Sequence, residues 1–297
     1  MTTAPAAAPP APALWLTPDG RTLGSLLGLR VGPGSSPSSC SWSLGVLEVT
    51  ATQDLEAAAW LLADAAMVLR CGTSPALELW RARARGGPPL TDRQRRSVDV
   101  FLTSAFRLPG QPEVPDHLQG YVAELLWYVL AGELAAAGRQ LVHVEAPSFH
   151  VTEPGGDGLV VWELTDGMLV FRLWEIKKHH GASQLSRTVR RACQQLSDRG
   201  AEYLAKYTAV GSHAHDGALG ALYAALPDLW MDDDPRAGAG VSLATSADRA
   251  PRRRCFGTLP TSFPTMANGG RLEGLVLAIG DFPAFAARVQ ECVWSGR

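Results

Sequence analysis

Lysine is the scarcest charged residue in this chain of 297 residues: only Lys177, Lys178 and Lys206 occur. The net charge is −2, so no general basic surface is available for coating nucleic acid. That does not exclude a nuclease, whose local charge at a cleft matters more than its total. Cysteine is sparse too. The five, Cys40, Cys71, Cys193, Cys255 and Cys292, are odd in number, scattered, and never spaced Cys-x-x-Cys. This argues against a zinc ribbon or a disulfide framework and for a reducing compartment. No apolar run approaches the roughly 20 residues of a membrane span. There is no internal repeat, Walker motif or dinucleotide fingerprint. Residues 1–13 lack a basic n-region and contain four prolines, so they read as a disordered tail rather than a signal peptide. The expectation is a cytoplasmic protein with no membrane association.

The apolar share of 46% is ordinary for a chain that buries a sizeable core. Trp15 to Arg30 is a weak element with a turn at Asp19-Gly20, and Val31 to Ser41 a Gly/Ser/Pro loop. Leu44 to Thr50 reads as a strand. Asp54 to Leu69 reads as a largely buried helix, with Leu55, Ala58, Leu62, Ala65 and Leu69 at helical spacing. Ala76 to Arg85 and Thr91 to Phe106 are further helices, the second capped by Thr91. Its Arg93, Arg95 and Arg96 oppose the helix dipole and read as a solvated face. A helix from Asp116 carries an apolar stripe of Leu118, Val122, Leu125 and Val129, with Glu124 on a neighbouring face. Strands are expected over Leu141–Val151, Gly240–Thr245 and Leu272–Ile279, and helices over Ser183–Tyr207, Leu219–Leu229 and from Asp281 to Trp294.

The chemistry concentrates between Gly155 and Lys178. Asp157 precedes a run of strand formers, Leu159 to Leu164. Thr165-Asp166-Gly167 is a turn, and Met168 to Lys177 is the returning strand. Alternation along that strand puts Glu175 and Lys177 on the same face as Leu169, Phe171 and Leu173. Burying charge costs several kcal/mol unless it is paired or bound to metal. Asp157 and Glu175 could hold Mg²⁺ through hard oxygen ligands, and Lys177 could position or deprotonate a water and neutralise phosphate. A neighbouring divalent cation would push the Lys177 pKa down. The bland alternative is an edge-strand pair, Glu175 and Lys177 neutralising each other, with Asp157 only a turn residue.

This pattern resembles the PD-(D/E)xK, or restriction-endonuclease-like, nuclease superfamily. Asp157 lies upstream of Glu175-Ile176-Lys177, Glu124 stands on a preceding helix, and a polar, basic helix follows. Gly156 stands where the superfamily often has proline. More narrowly, the helix with Glu124, Gly156-Asp157-Gly158 and Glu-x-Lys is similar to the nuclease subunits of Hachiman-type antiphage systems. The resemblance covers roughly residues 109 to 290. It implies an α/β fold with a restriction-endonuclease-like core, a mixed central sheet flanked by helices; the residues before it read separately as an N-terminal α/β extension. It implies a metal-dependent endonuclease acting in antiviral defence, with Mg²⁺ or Mn²⁺ as cofactor. DNA is the implied substrate, RNA is left open, and a helicase-type ATPase is the implied partner. Catalysis would fall to Glu124, Asp157, Glu175 and Lys177, and metal binding to Asp157, Glu175 and Glu124.

Lys178, Arg187, Arg190 and Arg191 are candidate contacts to the nucleic-acid backbone, with Arg199 and Lys206 further along the same helix. His179-His180-Gly181 reads as a surface loop. His213-Ala214-His215-Asp216 could bind metal but has no strand or helix to orient it; Asp232-Asp233-Asp234 is an acidic turn, and Arg252-Arg253-Arg254 a basic loop. Residues 14–108 are either a partner-docking region or an extension of the fold carried by residues 109–297. The competing function is a non-catalytic interaction subunit on a nuclease-like fold.

Overall fold

The Thr165-Asp166-Gly167 turn organises the centre of the molecule. Gly167 takes a positive φ of 82°, and Asp166 Oδ1 accepts the Met168 amide at 3.0 Å. The turn joins β4 (Gly158–Leu164) to β5 (Leu169–Lys178) in an antiparallel pair that sets Leu159 opposite Leu173. The computed structural model describes residues 16–36, 39–112, 114–134, 138–148, 157–180 and 184–297.

Five further strands extend this hairpin: β1 (Arg30–Val31), β2 (Ser41–Leu47), β3 (Arg139–Val144), β6 (Ala239–Thr245) and β7 (Leu272–Ile279). They form one mixed sheet in the order β1-β2-β7-β6-β5-β4-β3. β2, β7, β6 and β5 run parallel; β4 and β3 continue antiparallel on one side and β1 on the other. β6 and β7 are buried at every position, as parallel strands covered on both faces must be.

The helices are α1 (Leu23–Leu26), α2 (Thr52–Cys71), α3 (Pro75–Ala84), α4 (Asp92–Leu102), α5 (Pro115–Ala131), α6 (Leu185–Ala214), α7 (Gly217–Met231), α8 (Leu259–Ser262) and α9 (Phe282–Ser295). One core lies between α2, α5, α9 and the sheet face bearing Val160, Trp174, Ile176 and Leu277. The other lies between α6, α7 and the face bearing Leu159, Phe171, Leu173 and Val241. None of the described helices is long and apolar enough to cross a membrane.

The α/β class and most elements match the sequence reading, including the Thr91 capping box with Gln94 on α4. Three boundaries differ, the first being β2, which runs Ser41–Leu47 rather than Leu44–Thr50. β3 ends at Val144 rather than Val151, and residues 149–151 lie outside the described residues. α6 runs seven residues beyond Tyr207, to Ala214. Gly211 does not break it; this glycine lets the buried Tyr223 ring of α7 lie against the helix backbone. The Ser183 start and the tail 1–13 fall outside the described residues. Residues 41–47 form β2, second from one end of the same sheet and paired with β7.

Tryptophans lie over glycines at the hairpin. Trp127 of α5 packs against Gly158, and Trp174 of β5 against Gly240 of β6. The two indoles meet with ring centroids 5.8 Å apart. A Cβ at Gly240 would overlap the Trp174 ring, which is 2% exposed and has nowhere to move. Gly240→Ala is therefore expected to destabilise the protein by about 1–3 kcal/mol, read as a lower urea midpoint with an unchanged m-value.

Candidate metal and acid–base site

β5 is an interior strand, flanked by β4 and β6, so the edge-strand reading of Glu175 and Lys177 does not hold. Glu175 is fully buried, opposite Val241, while Lys177 and Asp157 keep 30% and 20% of their side chains exposed. Asp157 sits at the start of β4 and accepts the Ile176 amide through Oδ2 at 2.8 Å. That bond closes the open end of the hairpin and aims the carboxylate at its partner strand. The Lys177 ammonium pairs with Glu175 Oε1 and lies 3.6 Å from Asp157 Oδ2.

Glu124 joins this group from α5. It lies one helical turn before Trp127, so the contact of Trp127 with Gly158 carries it to the hairpin. Burial pushes its pKa from 4.5 up to about 8; the Asp157 charge adds to the rise and Lys177 opposes it. Burial raises the Glu175 pKa as well, again with Asp157 adding and Lys177 opposing. Lys177 responds in the other direction. Burial lowers its pKa, but Asp157 and Glu175 outweigh that and leave it raised. In this arrangement Lys177 is a cation, not the lowered base expected beside a divalent ion.

A second buried carboxylate supplies a contrast. Glu273 of β7 is met by Arg139 at 2.5 Å and Arg172 at 3.5 Å, two guanidinium groups for one acid. Around Glu175 the ratio is reversed: three carboxylates share one lysine. Apart from that ion pair, neither Glu175 oxygen has a hydrogen-bond partner among the described residues. A buried acceptor in that state needs an account, and a bound cation is a standard one. With carboxylate oxygen as every donor, Asp157, Glu175 and Glu124 suit a hard divalent ion by chemistry, but among the described residues their oxygens do not stand as a preformed ligand set.

α6 covers the cluster with three residues the sequence reading passed over, Gln195, Tyr203 and Tyr207, and with Arg199, which it took for a nucleic-acid backbone contact. Gln195, Arg199, Tyr203 and Tyr207 are spaced four apart, so they share one side of the helix. Gln195 Nε2 donates to the Tyr203 hydroxyl at 2.8 Å. Arg199 lies over the Tyr203 ring, 5.0 Å from its centroid, and pairs with Glu202. Burial raises the pKa of Tyr203 and, more strongly, that of Tyr207, and the Glu175 and Asp157 charges act on both. The spacing itself was the available signal.

The other candidates are dispersed. Arg187, Arg190 and Arg191 are exposed on the first turns of α6 and make no ion pair among the described residues. Lys178 is already paired with Asp116 and donates to its carbonyl at 2.6 Å, tying β5 to the start of α5. His179 is buried and shares a 2.8 Å hydrogen bond with Thr188 Oγ1, so only His180 of that pair is exposed. Arg252, Arg253 and Arg254 are exposed, as is the Arg93, Arg95 and Arg96 face of α4. All five cysteines are free and buried.

His215 is the residue whose surroundings the sequence most underestimated. It caps α6 and meets His143 of β3, with Glu145 and Tyr223 alongside. Burial pushes the Glu145 pKa up, but His143 and the Tyr223 hydroxyl outweigh it and leave it lowered. Burial, with His143 adding, lowers that of His215.

The raised carboxyl pKa values fix a sign for stability. A folded-state pKa above the unfolded one means that the native state holds more protons between the two values, so stability falls as pH rises through that window. In chelator the melting temperature should therefore decline from about pH 4.5 toward pH 8, the window set by Glu124. Glu175→Gln should flatten that decline. Added Mn²⁺ should raise the melting temperature most at the alkaline end, where its ligands are deprotonated.

No protein-family model and no curated protein matches this chain, so what the site does is argued from its geometry.

Proposed function

We propose that the protein is a metal-dependent nuclease that hydrolyses phosphodiester bonds, with DNA as its substrate. The observation that carries this reading is the fully buried Glu175 carboxylate beside Asp157 and Glu124, with a single lysine among them. Supporting it is the element order: α5, three antiparallel strands β3-β4-β5, α6 followed by an additional helix α7, then β6 parallel to β5. This is the arrangement expected of a restriction-endonuclease-like core.

Each residue has a distinct task. Asp157, Glu175 and Glu124 would hold Mg²⁺ or Mn²⁺, which when bound supplies an acidified water and an electrophile for phosphate oxygen. Asp157 Oδ2 accepts the Ile176 amide and lies 3.6 Å from the Lys177 ammonium, so the carboxylate is held in a set orientation beside the lysine. Lys177, held charged by its neighbours, faces the non-bridging phosphate oxygens and offsets the charge that develops as water adds to phosphorus. Its exposed portion gives it access to substrate that Glu175 lacks. Arg187, Arg190 and Arg191 lie one to two helical turns upstream of the residues covering the cluster, placed to take the adjoining backbone phosphates. The resemblance to Hachiman-type subunits extends the proposal to antiviral defence under the control of a helicase partner.

Purified protein incubated with plasmid, linear DNA and RNA should cleave DNA in Mg²⁺ or Mn²⁺ and stop in EDTA. Lys177→Ala and Glu175→Ala should each reduce the rate by about a hundredfold or more. Cleavage that survives EDTA or both substitutions would sink the assignment. A chain inert on every substrate and not stabilised by Mn²⁺ would favour the alternative, a non-catalytic interaction subunit.

A further inference from the structure

His143 and Glu145 alternate on and just past β3, so their side chains leave the same face of the sheet. His215 reaches that face from the end of α6, and the His143 and His215 rings stand edge to face with centroids 4.7 Å apart. One ligand atom from each of the three residues lies within 4.8 Å of the others, and all three are half-buried. Tyr223 of α7 donates its hydroxyl to Glu145 Oε1 at 2.5 Å, fixing the carboxylate.

His143 Nε2 stands 3.6 Å from Glu145 Oε1. That is too long for an N–H···O hydrogen bond, which closes at about 2.7–3.2 Å. It is close to the separation of about 3.3 Å between two ligands on one tetrahedral ion with bonds of about 2.0–2.1 Å. The donors also differ in kind from the acidic cluster. Two imidazoles and one carboxylate select a borderline-soft transition ion, whereas all-oxygen donors select Mg²⁺ or Mn²⁺. A carboxylate held by an outer hydroxyl is the second layer that such sites use.

We propose that His143, Glu145 and His215 form a second metal site, selective for Zn²⁺, with Tyr223 orienting Glu145 and a fourth position open to solvent. The ion pins the end of α6 to the edge strand β3. The site does not depend on the nuclease reading; its ligands are separate from Asp157, Glu175 and Glu124.

The test is metal uptake by the full chain. Protein stripped with chelator is dialysed against buffered Zn²⁺ and its metal content measured, and Co²⁺ is titrated in parallel and followed by visible absorption. One equivalent of Zn²⁺ should be retained, and Co²⁺ should give a spectrum without thiolate charge-transfer bands. His143→Ala and His215→Ala should lose the equivalent, Tyr223→Phe should weaken binding by about tenfold, and Asp157→Asn should retain it. Circular dichroism of each variant checks that the fold survives; the wild-type Co²⁺ spectrum tests the ligands whatever the variants do. No uptake by the wild-type chain would overturn the site. So would thiolate bands, retention by folded His215→Ala, or loss in Asp157→Asn.

Discussion

The placement of two indole rings over two glycines governs the rest of the molecule. Trp127 can approach Gly158, and Trp174 can approach Gly240, only because no Cβ stands between ring and backbone. Their mutual packing sets the distance from α5 to the sheet, and with it how close Glu124 comes to Asp157 and Glu175. A larger residue at either glycine would widen that gap. The acids would then separate, water would enter, and their pKa values would relax. The apolar face of β5 thus tunes the charged face one residue away.

The two buried carboxylates show how a protein distributes strain. Glu273 is surrounded by guanidinium groups and serves as a joint between β3, β5 and β7. Glu175 is held among like charges with one lysine, an arrangement that stability alone does not favour. Local repulsion of this kind is tolerated where the surrounding structure over-determines it, and here the closed hairpin and the α6 cover do so.

Much of the fold was legible because local chemistry and global structure agree. The Thr165-Asp166-Gly167 turn has both a glycine for its positive φ and an aspartate for its amide, so the hairpin and the shared face of Glu175 and Lys177 follow from sequence. What was not legible depends on partners distant in the chain. Nothing in residues 41–47 says that they pair in parallel with residues 272–279. The last seven residues of α6 go unread past Tyr207 until the Tyr223 ring is seen against Gly211. His215 looks like a loop residue because the strand that orients its surroundings lies before the hairpin. Lys178 reads as a free cation until Asp116 is found beside it.

The two ends of the sheet carry a consequence for how the chain behaves among its own copies. β1 is two residues long. β3, at the opposite end, shifts register between Leu141 and His143, and Arg139 lies across the Trp162 ring, 4.5 Å from its centroid. Unpaired edges recruit other strands when they are long, flat and apolar. One edge here is too short to template a new ladder, and the other is kinked by its register shift. Among the described residues the seven-stranded sheet ends in β1 and β3, and neither edge offers a long, flat template for pairing. Concentrated solutions meet two blunted rims rather than two templates.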